Sequence, residues 1–359
     1  MLKKWDKRRY LALATVATLV LVMSYDKIHL PSMTLLSKLA VTEIFSYQTP
    51  EPRRQGLLII GRGRSGTSFV SKMFAHGLRI FEVYEPLRYH NLSDAQKLQV
   101  LQAFVTCKFT PNTLWHSSYF PPFWYLRERT YEIKPIEHHA CVLHPKTKRN
   151  CYHTDRLLKK FIANCYKDAS TVVKELANRL PGGTLSSLLP LLNDPTVGAD
   201  IRLLHVVRDP RASINSRIKL RWFPDYKDPT FERRVRDFCD VIVENIGFGR
   251  ALNGSLKDKY KLIFYKDIAA RPLELAEQIF NFAQMKMSKE TLQWVSNMTN
   301  PLEKEAIKKL KKPYSLVRNS TANIGKWKVE SPPERIRVIE RVCQPLIELI
   351  EKISVKNNM

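Results

Sequence analysis

The chain has 359 residues and a formal charge of +25, with 59 lysines and arginines against 34 acidic residues. That length suffices for one large domain or two ordinary ones, and an apolar content of 44% builds a real core. The basic residues are spread along the chain, which disfavours a polybasic arm and suits a globular surface for polyanions: nucleic acid, anionic lipid or acidic glycans.

In chain order, Lys3, Lys4, Lys7, Arg8 and Arg9 precede an uncharged stretch over residues 10–25, closed by Asp26 and Lys27. As a helix this stretch spans roughly 24 Å, short but tolerable in a thin secretory-pathway bilayer. A cleaved signal peptide is the rival reading, but no small-x-small pair closes the segment, which favours an uncleaved anchor. The basic flank keeps the N-terminus cytoplasmic and sends the rest into the lumen. The expected organisation is a tail over 1–9, a transmembrane signal anchor over 10–25, a stem over 26–54 and a lumenal domain over 55–355. Sequons at Asn91, Asn253, Asn297 and Asn319 agree with a lumenal body, as does an even count of six cysteines, all beyond the anchor. In an oxidising lumen these cysteines read as disulfides of open connectivity. A nucleic-acid partner conflicts with the anchor, and no usual recognition motif is present.

From residue 55 onward, strand and helix patterns alternate. Residues 55–60 form an apolar strand, 61–66 a Gly/Arg/Ser turn, and 67–76 a helix with Phe69, Val70, Met73 and Phe74 at helical spacing. Such a junction leaves backbone N–H groups pointing outward, ready to hold an anion. Gly61 and Gly66 have Walker spacing, but Thr67 stands where the lysine belongs, which disfavours an ATPase or kinase. The Tyr84-Glu85-Pro86 segment follows an apolar patch containing Phe81 and Val83. His138, His139, Cys141, His144, Cys151 and His153 invite a zinc reading, yet their spacing fits no standard finger and Lys146, Lys148 and Arg149 oppose a cation. No metal is expected.

Further on, 171–173 is a β-branched run, 185–192 a helix candidate, and 201–207 a second buried strand. Asp209 then stands as N-cap and Pro210 as first residue of a helix over 210–220. A strand over 261–265 and a helix over 272–280 follow. No internal repeat is found. The pattern predicts an α/β domain with a central, largely parallel sheet flanked by helices. Ligands in such sheets bind beyond the strand C-termini, where Arg64, Arg208 and Lys174 would stand. Two strand-to-helix anion loops, the second carrying Arg208 and Ser216 eight residues apart, point to a nucleotide with phosphate at both its 5′ and 3′ sides.

At this point the residues resemble a known family. Arg64-Ser65-Gly66-Thr67-Ser68-Phe69 resembles the 5′-phosphosulfate loop of sulfotransferases, and Arg208-Asp209-Pro210-Arg211-Ala212 with Ser216 resembles their 3′-phosphate loop. The specific similarity is to the Golgi carbohydrate 6-O-sulfotransferases. Tyr84-Glu85-Pro86-Leu87, Tyr265-Lys266-Asp267, and Arg318-Asn319-Ser320 with Trp327 are similar to three further elements of that family. The resemblance covers residues 55–350. Lys266 departs from it by replacing the usual Glu, and Arg88-Tyr89 by replacing an aromatic.

The resemblance implies a P-loop-like sulfotransferase domain behind a single-pass type II Golgi anchor. It implies sulfuryl transfer from 3′-phosphoadenylyl sulfate (PAPS) to the 6-hydroxyl of galactose, N-acetylglucosamine or N-acetylgalactosamine in a glycan acceptor. Arg62, Gly63, Arg64, Ser65, Gly66, Thr67, Ser68, Arg208 and Ser216 would bind PAPS, and Arg64 would also stabilise charge on the bridging oxygen. Glu85 is the implied catalytic base, its pKa expected to rise by burial among Phe81, Val83, Tyr84 and Pro86. His76 and His90 are other candidate bases; His205, alternating within an apolar strand, reads as a core histidine. The alternative function is a non-catalytic basic glycan-binding or scaffold protein that retains the fold.

Overall fold

The computed structural model describes residues 53–88, 91–110, 113, 141–144, 147–151, 155–301 and 314–356. The expected tail, anchor and nearly all of the stem lie outside these residues, as does His90. No helix among the described residues is long and apolar enough to cross a membrane.

Strand β1 (Arg54–Gly61) carries the run Leu57, Leu58, Ile59 and Ile60, every one 0% exposed. A strand apolar on both faces can only sit in the middle of a covered sheet. It does: β2 (Ile80–Tyr84), β5 (Ser170–Leu176), β6 (Ala199–Val207) and β7 (Tyr260–Phe264) complete a five-stranded sheet ordered β2-β5-β1-β6-β7, parallel throughout. Because side chains alternate along a strand, Leu58 and Ile60 enter one core with Val83, Phe104, Val173 and Leu203. Leu57 and Ile59 enter the other, with Val70, Phe74, Leu204, Ile279 and Phe280. The chain leaves β1 toward β5 and β2 on one side and later adds β6 and β7 on the other. Its topological switch point therefore lies at the C-terminal end of β1.

Helix α1 (Thr67–Phe74) follows β1, and α2 (Asp94–Thr106) follows β2. The second of these and β2 are elements that the periodicity did not single out. In β2 the buried Glu82 interrupts the apolar pattern; it is held by Ser71 and by Lys72 at 2.7 Å. Helix α2 opens on a readable capping box in which Ser93 and Gln96 satisfy one another's backbone N–H groups.

A small hairpin, β3 (Cys141–His144) with β4 (Thr147–Cys151), places Cys141 opposite Cys151 in register. The side chains of the zinc reading lie outside the described residues. Helix α3 (Asp155–Lys167) leads into β5. The helix expected over 185–192 is a 3-10 turn, Leu185–Leu188, followed by a short α-helix, Leu189–Asn193, with Pro190 at its start. Helix α4 (Pro210–Lys219) follows β6 with Asp209 capping it, as expected. The strand expected over 261–265 ends at Phe264, and Tyr265 instead opens a helical turn.

A third core forms where α5 (Phe231–Ala251) packs against α6 (Pro333–Val342) and α7 (Gln344–Lys356). The Cys239–Cys343 disulfide ties α5 to this C-terminal pair across 104 residues, and Cys107–Cys165 joins α2 to α3 across 58. Closing loops of this size removes chain entropy from the unfolded state, worth on the order of 4 kcal/mol each. His205 is a core histidine as read: its Nδ1 lies 3.0 Å from the Tyr260 hydroxyl, and burial pushes its pKa down to about 3.

Candidate active site

The switch point becomes a site because two loops meet there. Gly61 ends β1 so close to β6 that a Cβ would lie 2.5 Å from the Val206 carbonyl, so no side chain fits. The chain then turns through Arg64 at φ 76° and Gly66 at φ 103°, both left-handed, and enters α1 with no side chain capping it. An uncapped helix start leaves its first amide groups to be satisfied by an external acceptor. Gly66 is also sterically required, since a Cβ there would come within 2.8 Å of the Tyr265 ring.

The second loop locks onto the first. The Arg64 Nε donates to Ser216 Oγ at 2.9 Å, and the Arg208 guanidinium donates to the Arg64 carbonyl at 3.1 Å. Arg208 also donates to the Asn323 carbonyl at 3.5 Å and lies 4.1 Å above the Tyr265 ring. Asn323 holds that tyrosine through a 2.6 Å bond to its hydroxyl. Arg208 Nε is buried with no hydrogen-bond partner among the described residues. Burial lowers the pKa of Arg64 and Arg208, and for Arg64 the neighbouring Arg208 and Arg318 lower it further. Cations gathered with few carboxylates among them constitute a demand for an anionic ligand.

Around them opens a cavity of about 570 Å³. Gly63, Arg64, Gly66, Thr67, Ser68 and Arg208, six of the residues read as donor-binding, line it. Arg62 and Ser65 do not. The Arg62 guanidinium lies 5.2 Å from the Phe238 ring, and Ser65 is buried against Gly61 with its amide donating 3.1 Å to the Arg62 carbonyl. Those two side chains shape the loop from behind. Ser216 is brought to the site through Arg64 rather than as part of the cavity lining.

Glu85 lines the cavity too, but its expected pKa shift is corrected. Burial alone would raise it. Yet Lys174 Nζ bonds Oε1, Arg179 donates to Oε2 at 2.6 Å, and Arg88 stands 3.7 Å away. The two cations Lys174 and Arg179 outweigh burial and hold the carboxyl at about 2. The local sequence showed Phe81 and Val83, not the neighbouring strand. Tyr84 pairs in register with Lys174, so the residue after it meets that lysine; Glu85 turns there at φ 51°, its amide donating 2.7 Å to the Lys174 carbonyl. Backbone outliers at Arg64 and Glu85, both on the cavity, are the kind of strain that functional sites retain.

Lys174 and Tyr84 complete this wall: the ammonium lies 4.4 Å from the Tyr84 ring centre, and the Tyr84 hydroxyl lies 2.8 Å from Ser68 Oγ. Arg179, Arg217, Trp222 and Tyr314 also line the cavity and carried no signal in the sequence. His76, a candidate base, stacks on Trp294 at 5.1 Å and does not line the cavity.

Residues 54–354 match the family model described as "Sulfotransferase domain". The chain belongs to this family. Carbohydrate sulfotransferase 3 of Rattus norvegicus is 25% identical across 89% of the chain and 72% of the relative. Carbohydrate sulfotransferase 1 of Danio rerio is 22% identical across 85% and 79%. Carbohydrate sulfotransferase 3 of Mus musculus is 29% identical, but that match spans only 46% of this chain and 36% of the mouse protein. Among solved structures, retinol dehydratase in complex with androsterone and inactive cofactor PAP aligns over 82% of this sulfotransferase chain and 81% of its own, at 12% identity and a TM-score of 0.42. With family membership, the chain is a sulfotransferase enzyme.

Proposed function

We propose that this enzyme transfers a sulfuryl group from PAPS to a sugar hydroxyl, the 6-hydroxyl of galactose, N-acetylglucosamine or N-acetylgalactosamine in a glycan. The observation that carries the reading is the junction at Arg64, whose side chain holds Ser216 and whose carbonyl holds Arg208. One nucleotide phosphorylated at both ends accounts for both loops at once. The relatives named carbohydrate sulfotransferase support a sugar acceptor.

In this scheme the amides of Gly63, Gly66, Thr67 and Ser68 hold the 5′-phosphosulfate end, and Arg208 holds the 3′-phosphate. The acceptor oxygen bonds to sulfur as the sulfur–oxygen bond to the 5′-phosphate breaks. Arg64 then stabilises the charge left on that phosphate, and the hydroxyl proton passes to Glu85. A carboxyl this acidic accepts the proton only as the new bond forms, and Lys174 and Arg179 keep it ionised until then. A scaffold protein would have no need of buried cations arranged for a nucleotide.

The test is transfer of radiolabelled sulfate from PAPS to a panel of keratan, chondroitin and N-acetylglucosamine-terminated acceptors. Label in at least one 6-position supports the reading; a catalytically silent protein across the panel, or label elsewhere on the sugar, sinks it.

We further propose the type II arrangement, with residues 10–25 anchoring a Golgi-lumenal domain. The exposed sequon residues Asn91, Asn253, Asn297 and Asn319 support it. A C-terminal tag should resist protease in intact microsomes, and at least one sequon should carry glycan; a freely digested tag would reverse the topology.

A further inference from the structure

Glu175, near the end of β5, is a buried carboxylate with no part in the donor or proton steps above. It is 0% exposed and does not line the cavity. Its Oε2 accepts the Leu87 amide at 2.7 Å, and its Oε1 accepts the Leu176 amide at 2.8 Å and the Arg179 guanidinium at 3.2 Å. All three groups are donors, so the carboxylate serves here in its ionised form. The Leu87 bond has a particular place. Residues Glu85 to Arg88 make a turn closed by the Arg88 amide on the Glu85 carbonyl at 3.2 Å, and Pro86 within it has no N–H to give. The Lys174 carbonyl holds the entry to that turn, and Glu175 holds its middle.

Arg179 is shared between two carboxylates. Its Nη1 lies 2.6 Å from Glu85 Oε2 and 3.2 Å from Glu175 Oε1. The two cations on Glu85 differ in freedom. Lys174 is 0% exposed on a strand paired on both sides, whereas Arg179 ends the 3-10 turn Ala177–Arg179 and lines the cavity. Lys174 cannot leave Glu85 without stranding a buried charge. Arg179 can leave, because Glu175 already receives it. Burial pushes the Glu175 carboxyl up and Arg179 opposes it, so a fuller pairing also satisfies Glu175.

We propose that Glu175 and Arg179 are positioning residues for the proton transfer: as the acceptor hydroxyl enters, the Arg179 guanidinium passes from Glu85 Oε2 to Glu175, and the bared oxygen takes the hydroxyl proton. The inference rests on the reading of Glu85 as proton acceptor and adds what releases that carboxylate. The proton leaves the acceptor oxygen for Glu85 Oε2 as the new oxygen–sulfur bond forms, and Arg179 changes partner without gaining or losing a proton.

The test measures kcat, KM and the unfolding midpoint for the wild type, Glu175→Gln, Arg179→Gln and the double variant, with PAPS and a glycan that the wild type sulfates. Glu175→Gln removes the receiving carboxylate and leaves Arg179 on Glu85. Its kcat should fall roughly tenfold or more, a share of the ~10²- to 10⁴-fold a general base supplies, while affinity for adenosine 3′,5′-bisphosphate stays within about twofold. Adding Arg179→Gln removes the guanidinium that had nowhere to go, so the double variant should recover most of that kcat. Its unfolding midpoint should stay as low as that of Glu175→Gln, because in both the glutamine NH₂ meets a backbone donor. Turnover regained without stability is a result that a merely structural Glu175 does not give.

Arg179→Gln alone carries the pH readout. Glu85 faces Lys174 from β5, Arg179 from the 3-10 turn and Arg88 from its own turn, while Lys72 of α1 is taken by Glu82. Removing one of the two cations that hold the carboxyl at about 2 lets it rise toward 4.5, so the acid limb of kcat/KM should move up. Wild-type kcat in Glu175→Gln, or a double variant as slow as the single one, overturns the inference. So does an unmoved acid limb in Arg179→Gln, a measurement that decides the matter even where the Glu175 variants fail to fold. A rise in acceptor KM in Arg179→Gln at unchanged kcat, with no shift of the limb, makes this arginine an acceptor contact and also overturns it. Near-normal turnover by Glu85→Gln removes the base reading and this inference with it; a slow Glu85→Gln beside an unaffected Glu175→Gln removes this inference alone.

Discussion

Exchange of Glu85 for Gln is expected to lower kcat by about 10²- to 10⁴-fold while affinity for adenosine 3′,5′-bisphosphate stays near that of the wild type. Glutamine keeps the shape of the side chain but cannot take the acceptor's proton. It also strands Lys174, which is 0% exposed and loses its carboxylate partner. Breaking a buried pair from one side costs about 3–5 kcal/mol, so the unfolding midpoint should fall as well. The double variant Glu85→Gln/Lys174→Met removes the stranded charge. It should regain stability without regaining turnover, which separates chemistry from folding. Recovery of kcat in the double variant, or near-normal turnover by Glu85→Gln alone, would make Glu85 structural.

The pH dependence carries a sign. Because the folded-state pKa is held below the ordinary 4.5, at about 2, the stabilisation from ionised Glu85 is complete above 4.5 and is lost as pH falls through about 2. An acid limb of kcat/KM owed to this group therefore lies near 2, outside the usual assay range. A limb observed between about 5 and 7 would instead report a histidine-like base.

Arg208→Ala should weaken donor binding by roughly 10- to 150-fold, the effect of losing a charged hydrogen bond worth about 1.5–3 kcal/mol. The preference for the 3′-phosphorylated nucleotide over its dephospho analogue should shrink by the same factor. The side chain does more than carry charge: it spans the Arg64 and Asn323 carbonyls and stacks on Tyr265. Lysine reproduces the charge but neither the fork nor the stack, so Arg208→Lys should remain impaired. Ser216→Ala should have a smaller effect on binding and a clearer one on turnover, because it releases the Arg64 side chain. An unchanged nucleotide preference in Arg208→Ala would place the 3′-phosphate elsewhere.

Much of this was legible in the residues themselves. An apolar run, two glycines and an uncapped helix start spell an anion loop locally, because each piece depends on neighbours within a few positions. The same holds for Asp209 and Pro210 at the start of α4. The alternation of apolar strands with helices also pointed to a largely parallel sheet, which the order and pairing of β1, β5, β6 and β7 bear out. Pairing across the sheet was not legible. Arg64 and Ser216 meet across 152 residues and Glu85 and Lys174 across 89, through strand order and register that the local pattern does not encode. The pairing of Cys107 with Cys165 and of Cys239 with Cys343 was open for the same reason. Glu85 shows the division most plainly. Its apolar sequence neighbours argue for a raised pKa, and burial does act that way. Register brings Lys174 onto its carboxylate, the turn after β5 brings Arg179, and Coulomb attraction over these short distances exceeds the desolvation cost and reverses the sign.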